Sequence, residues 1–269
     1  MMSVVSRSCF LLLVLFLGLT GLPKANAAEP ASTDQKANVI EEEVLEIFNR
    51  SMDYLAKLKQ FQVTAEFGFD VLQETGQKIE FGSHQDVTIQ RPNHFRVDFV
   101  RRDGVHGSVV YDGKEVVLSN PEEAVYAKAP FKGEIDDALD FLAEELQRPI
   151  PLRDFFVSDP GSVLTAKIES GIYVDESMLA GVLCDHLAMR NDKVDFQIWI
   201  PQGDEPLPRR IIITYKNEEG QPQFWGQFME WETAPKLSDE TFTYTPSEKS
   251  ERIPFAVVDV EMQSEGGQP

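Results

Sequence analysis

Between residues 61 and 128 apolar side chains recur at every second position, and this alternation constrains the fold more than any other feature of the chain. Phe61, Val63, Ala65, Phe67, Phe69 and Val71 make one row. Ile79, Phe81, Val87 and Ile89 make a second, Phe95, Val97 and Phe99 a third, and Val105, Val109 and Tyr111 a fourth. A period of two sends all these side chains to one face of a sheet. Gly76, Asp103-Gly104 and Asp112-Gly113 stand between the rows, where tight hairpins need residues that accept positive φ. The pattern predicts an antiparallel meander of four strands with one aromatic face.

Helices flank this meander. Over residues 39–58 the apolar positions Ile40, Val44, Ile47, Phe48, Met52, Leu55 and Leu58 follow three- and four-residue steps. Glu41, Glu42 and Glu43 open that stretch and Lys57 and Lys59 close it, the order that complements a helix dipole. A second helix is expected over residues 134–147, ended by Pro149 and Pro151, with a further helical turn over 149–156. Residues 163–183 carry no clear period, and Gly171 and Gly181 suggest turns there. More strands follow at residues 194–200, 209–215 and 223–233, with final pairing expected from 239–245 and 253–262. Helix, strands, helical insertion and strands together predict an α+β fold: a half-open antiparallel β-barrel, its strongly curved sheet wrapped around an N-terminal helix and a helical lid insertion.

The first 27 residues read as a leader. Arg7 precedes an apolar run, and Ala25-Asn26-Ala27 offers a small-residue cleavage site. That run is shorter than the ~20 residues a membrane span needs. Residues 28–37 read as a disordered spacer, 38–262 as the folded domain and 263–269 as a loose tail. Export to the periplasm as a soluble protein is the expected localisation. Cys184 is the cysteine left after processing, so the mature chain must be held by its core rather than by an internal disulfide. A formal charge of −20 repels nucleic acid and anionic surfaces, which excludes polyanion binding as a function.

Sequence signs of catalysis are sparse. The four histidines lack metal-ligand spacing, and no glycine-rich phosphate loop is present. Cys184 and His186 would point to one face of a strand, without an oxyanion-hole signature nearby. Asp136, Asp137, Asp140, Glu144 and Glu145 read as a solvated helix face. No enzyme activity, cofactor or metal is expected.

At Arg91-Pro92-Asn93-His94-Phe95, Tyr111-Asp112-Gly113-Lys114 and Asn120-Pro121 the chain resembles the bacterial outer-membrane lipoprotein carriers of the Lol system. From residue 181 onward it is similar to a family of predicted periplasmic proteins placed in the same fold group. That similarity rests on residues 181–187, 197–200, 206–209 and 237–242. The resemblance implies a barrel whose helices cover an aromatic cavity that takes acyl chains. It implies that Arg91 latches the lid through hydrogen bonds to its backbone, and that Phe95 is a cavity-rim aromatic. A long segment after the insertion at residues 133–156 departs from the carriers.

The aromatic face thus has two readings, a sealed core or a lipid cavity. Eighteen phenylalanines, bulky and with few rotamers, favour a cavity. Phe67, Phe69, Phe81, Phe95, Val97, Phe99, Phe196 and Ile198 would then contact the ligand beneath the helix of residues 39–58. The expected partner is a lipid or acylated protein. The alternative function is an envelope sensor or scaffold that binds an inner- or outer-membrane protein.

Overall fold

The computed structural model describes residues 39–148 and 150–255. The expected leader (1–27), spacer (28–37) and tail (263–269) lie outside the described residues, as do Pro149 and most of 253–262.

Helix α1 (Glu42–Lys57) buries Val44, Phe48, Ser51, Met52 and Leu55, with Glu42 and Glu43 in its first turn and Lys57 in its last. It is shorter than the predicted 39–58 because residues 39–41 are extended and pair with the backbone of Gly171. Glu41 N–H donates to Gly171 O at 3.1 Å, and Gly171 N–H donates to Val39 O at 3.3 Å. Gly171 is therefore a point of close approach rather than the expected turn. A Cβ there would sit 3.1 Å from Val44 and 3.2 Å from Met189.

Six strands follow where four were predicted: β1 (Gln60–Leu72), β2 (Lys78–Gln90), β3 (His94–Arg101), β4 (His106–Tyr111), β5 (Glu115–Asn120) and β6 (Val125–Pro130). The last two lack a clean period of two: in β5 the adjacent Val116 and Val117 are both buried, and in β6 Ala127 is the one buried residue. Gly76, Gly104 and Gly113 hold positive φ in the hairpin turns, as expected. Next come α2 (Ile135–Glu144), a 3-10 turn at Arg153–Phe155 and α3 (Pro160–Thr165). The second half holds β7 (Ser170–Leu179), β8 (Val182–Arg190), β9 (Val194–Pro201), β10 (Arg210–Tyr215) and β11 (Gln223–Glu232). Residues Asp239–Phe242 form a 3-10 turn instead of the expected strand, and the two-residue β12 (Glu251–Arg252) closes the described chain.

All twelve strands share one sheet, in the order β12-β6-β5-β4-β3-β2-β1-β11-β10-β9-β8-β7. Every pairing is antiparallel except β12 with β6. The two halves of the chain meet where β1 pairs with β11. Both edge strands are unpaired on one side, so the sheet is large, curved and not closed. Alternation decides its inner face. Phe61, Val63, Ala65 and Phe67 are buried while Gln62, Thr64 and Glu66 are not. Across β1–β2 these pair with Ile89, Val87, Gln85 and Ser83. The inner face, α1, α2 and residues 150–157 form one hydrophobic cluster.

Candidate functional site

Helix α1 is bound to the sheet along its length. Val44, Phe48, Met52 and Leu55 are fully buried in the same cluster as Phe61, Ala65, Phe95 and Ile198. Polar ties add to this packing. Ser51 Oγ donates to Pro206 O at 2.5 Å, Arg50 reaches Asp185 at 3.5 Å, and Tyr173 N–H donates to a Glu41 carboxylate oxygen at 2.8 Å.

The open apolar space lies elsewhere, between residues 150–167 and the ends of β9–β11 nearest the β8–β9 and β10–β11 turns. Phe196, Ile211, Ile213 and Phe224 form its floor, and alternation along three neighbouring strands points them all inward. Ile150, Leu152, Phe155 and Leu164 face them from the helical segment. The cleft has a volume of about 460 Å³. Gly226 lets this roof approach the floor, since a Cβ there would lie 2.9 Å from Phe67 and 3.1 Å from Leu152. Phe67 stacks on Phe224 at 5.7 Å, and Phe155 meets Phe228 at 6.2 Å. Cleft and core are thus continuous. Three charged side chains stand at the rim: Arg153, Asp154 and Lys167. Lys167 Nζ donates to Asp154 at 2.6 Å, while Arg153 pairs with Asp140 and also donates to Leu139 O at 3.3 Å. Burial pushes the Tyr215 hydroxyl above its usual pKa, with Glu218 adding to the effect, so this phenol at the cleft wall is neutral at ordinary pH.

Arg91 joins the helical parts. Its Nε donates to Leu58 O at the end of α1 (3.2 Å), and its Nη1 donates to Phe156 O beside the cleft roof (3.1 Å). Its backbone N–H donates to Lys59 O at 2.8 Å. Burial lowers the guanidinium pKa and Asp136 opposes that shift, but arginine starts high enough to stay charged. The adjoining Pro92 O accepts from Ile135 N–H at 2.8 Å, which seats the start of α2 on the same corner. Asp136 in turn accepts from Ser158 N–H and Oγ at 2.8 and 2.6 Å, anchoring the chain just beyond Phe156.

The eight aromatic and aliphatic residues singled out from sequence all lie on the inner face, but in four settings. Phe196 lines the cleft. Phe67, Phe95, Val97 and Ile198 are buried in the core cluster, and Phe99 is half-buried opposite Gly107. Phe69 and Phe81 are each 45% exposed and stack on one another at 6.1 Å near the β1–β2 turn. Sequence reasoning missed Ile150, Leu152, Leu164, Ile211, Ile213 and Phe224. Alternation could have flagged the strand residues, whereas those of the insertion follow no single period.

Other polar groupings behave differently. A groove of about 560 Å³ on the outer face is lined by Gln62, Thr64, Asp86, Thr88, Glu230 and Glu232 among others, a polar and acidic wall. Cys184 and His186 take separate partners. The buried Cys184 thiol, its pKa raised by burial, contacts Val182 O at 3.6 Å. His186 stacks on Trp199 at 4.1 Å and hydrogen-bonds Gln197 at 3.0 Å. Among the described residues, no group of three or more His, Cys, Asp or Glu side chains is arranged to hold a metal, and no helix is long and apolar enough to cross a membrane.

The family described as "Predicted periplasmic protein (DUF2092)" matches residues 45–256, which include the later strings noted above. No curated protein matches the sequence. Solved structures with some likeness include LprF from Mycobacterium bovis, at 12% identity over 79% of this chain and 100% of that one, with a TM-score of 0.46. A LolA superfamily protein from Nitrosomonas europaea matches at 11% identity over 75% of this chain and 97% of its own, with a TM-score of 0.38. A chain of the Pseudomonas aeruginosa MucA/MucB complex matches at 18% identity over 76% of this chain but 61% of its own, with a TM-score of 0.41.

Proposed function

This chain belongs to that family of predicted periplasmic proteins, and from this premise we propose that it binds and carries an acyl chain in the periplasm. The observation that supports the reading is the cleft of about 460 Å³ with apolar walls on both sides. Burying a methylene releases about 0.8 kcal/mol, so ten to fifteen of them release roughly 8–12 kcal/mol. After at least ~4 kcal/mol for lost ligand freedom, the longer chains reach the ~8 kcal/mol of micromolar binding. No catalytic group is needed for this. Residues 150–167 act as the cover and Arg91 as its latch, through the Phe156 carbonyl. Loading and release follow the relative affinities of donor and acceptor. An uncharged naphthylamine dye, fluorescent only in apolar surroundings, tests the reading. Ile213→Trp fills the cleft from a half-buried position and is expected to cut dye uptake about tenfold with little change in melting temperature. Undiminished uptake by that variant, or none by the parent protein, would end the proposal.

One observation favours a second reading, docking of an envelope protein. Phe69, Val71, Ile79 and Phe81 are 45, 37, 40 and 45% exposed, and they stand as two adjacent cross-strand pairs. A photo-crosslinker at position 81, activated in intact cells, is expected on this reading to trap one partner stoichiometrically. Its absence would leave carriage of a lipid as the function.

A further inference from the structure

Resting on the carrier reading, we propose that the cleft takes one acyl chain ended by an anionic head group, with Lys167 meeting that head. At about 460 Å³ the cleft falls in the lower half of the roughly 300–1,000 Å³ of pockets that hold one small molecule, the size for one acyl chain rather than two or three.

The rim fixes the head group. Arg153, Asp154 and Lys167 are the charged residues among those lining the cleft; with Asp140, the partner of Arg153, they make a neutral rim in a chain of net charge −20. An anion approaching so acidic a molecule needs a local cation. Arg153 is committed to Asp140 and to Leu139 O, and its side chain is 27% exposed. Lys167 stands at the mouth with its side chain 53% exposed and, among the described residues, is paired through a surface contact to Asp154. Such pairs exchange at little cost. Asp154 keeps Arg153 at 3.8 Å when Lys167 turns to a ligand. The carbonyl of Lys167 is held by Asn191 Nδ2 at 2.8 Å, so its backbone stays in place during the exchange.

Titration calorimetry on the full mature protein separates the possibilities, with palmitate, hexadecanol, palmitoyl lysophosphatidylglycerol and dipalmitoyl phosphatidylglycerol as probes. Palmitate and the lysolipid should bind one to one, about three- to fivefold tighter than hexadecanol, the effect of a rim ion pair. The diacyl lipid should bind at least about tenfold more weakly than the lysolipid. Lys167→Glu should weaken palmitate about tenfold and leave hexadecanol unchanged. Equal binding of palmitate and hexadecanol, indifference to Lys167→Glu, or equal binding of one- and two-chain lipids would each overturn the proposal. Uptake of the uncharged dye distinguishes the two failures. If the dye enters but these preferences are absent, the carrier reading stands and the single-chain anion reading falls; if nothing enters, both fall.

Discussion

Phe48→Ala is expected to destabilise the protein by about 3–5 kcal/mol, the range for removing a large aromatic ring from a packed core. Phe48 is fully buried at the centre of the α1 stripe, between Val44 and Met52, and the sheet residues beneath belong to the same cluster. A helix that lifted away as a cover would already spend time off the sheet, and truncating its central ring would then cost far less. Urea denaturation measures the difference, and the lost area should also lower the slope of the transition if the variant loosens α1 locally. A loss below about 1 kcal/mol would show that α1 is only loosely held on the sheet. Dye uptake by the folded variant should persist, because the cleft walls do not include α1.

That contrast bears on what could be read from the chain before its structure. Alternation in β1–β4 and the helical stripe of α1 are local signals, and both faces they define are the faces observed. Alternation says which way a side chain points but not whether anything covers it. Phe67 and Phe69 have the same parity in β1, yet Phe67 is buried in the core cluster and Phe69 is 45% exposed. Strand β5 escaped because adjacent Val116 and Val117 are both buried, which breaks the period of two, and β6 because Ala127 is its one buried residue. Gly171 misled for a similar reason. A glycine in a polar stretch suggests a turn, whereas here its missing side chain admits Val44 and Met189 from two other elements. The cleft was hidden because its walls come from β9–β11 and from an insertion of short helical pieces, brought together only by the order of strands in the sheet. Arg91 was singled out only through a family resemblance. Nothing in its spacing announces that its guanidinium reaches both Leu58 O and Phe156 O.

Arg91→Leu carries the second large expectation, a loss of about 2–4 kcal/mol together with local opening of residues 150–157. Two charge-assisted hydrogen bonds to main-chain carbonyls disappear, each worth roughly 1.5–3 kcal/mol. Against this, leucine removes the cost of burying a guanidinium whose Nη2 has no partner among the described residues. The balance stays unfavourable because the carbonyls of Leu58 and Phe156 are left behind without their donor. Arg91→Lys cannot span both carbonyls with one ammonium, so it should recover only part of the loss. Hydrogen exchange locates the effect. Amides of residues 155–157 should exchange faster in Arg91→Leu while those of α1 change little, since α1 keeps its packing and the Ser51 and Arg50 ties. On the carrier reading, dye uptake should become faster in the same variant, as opening of this segment then no longer breaks the bond to Phe156 O, although the ties of Arg153 and Ser158 to α2 remain. Unchanged protection at residues 155–157 would mean that Arg91 only fills the corner between α1 and α2, and that this segment is held by the packing of Phe155 and Phe156 and by the ties of Arg153 and Ser158 to α2.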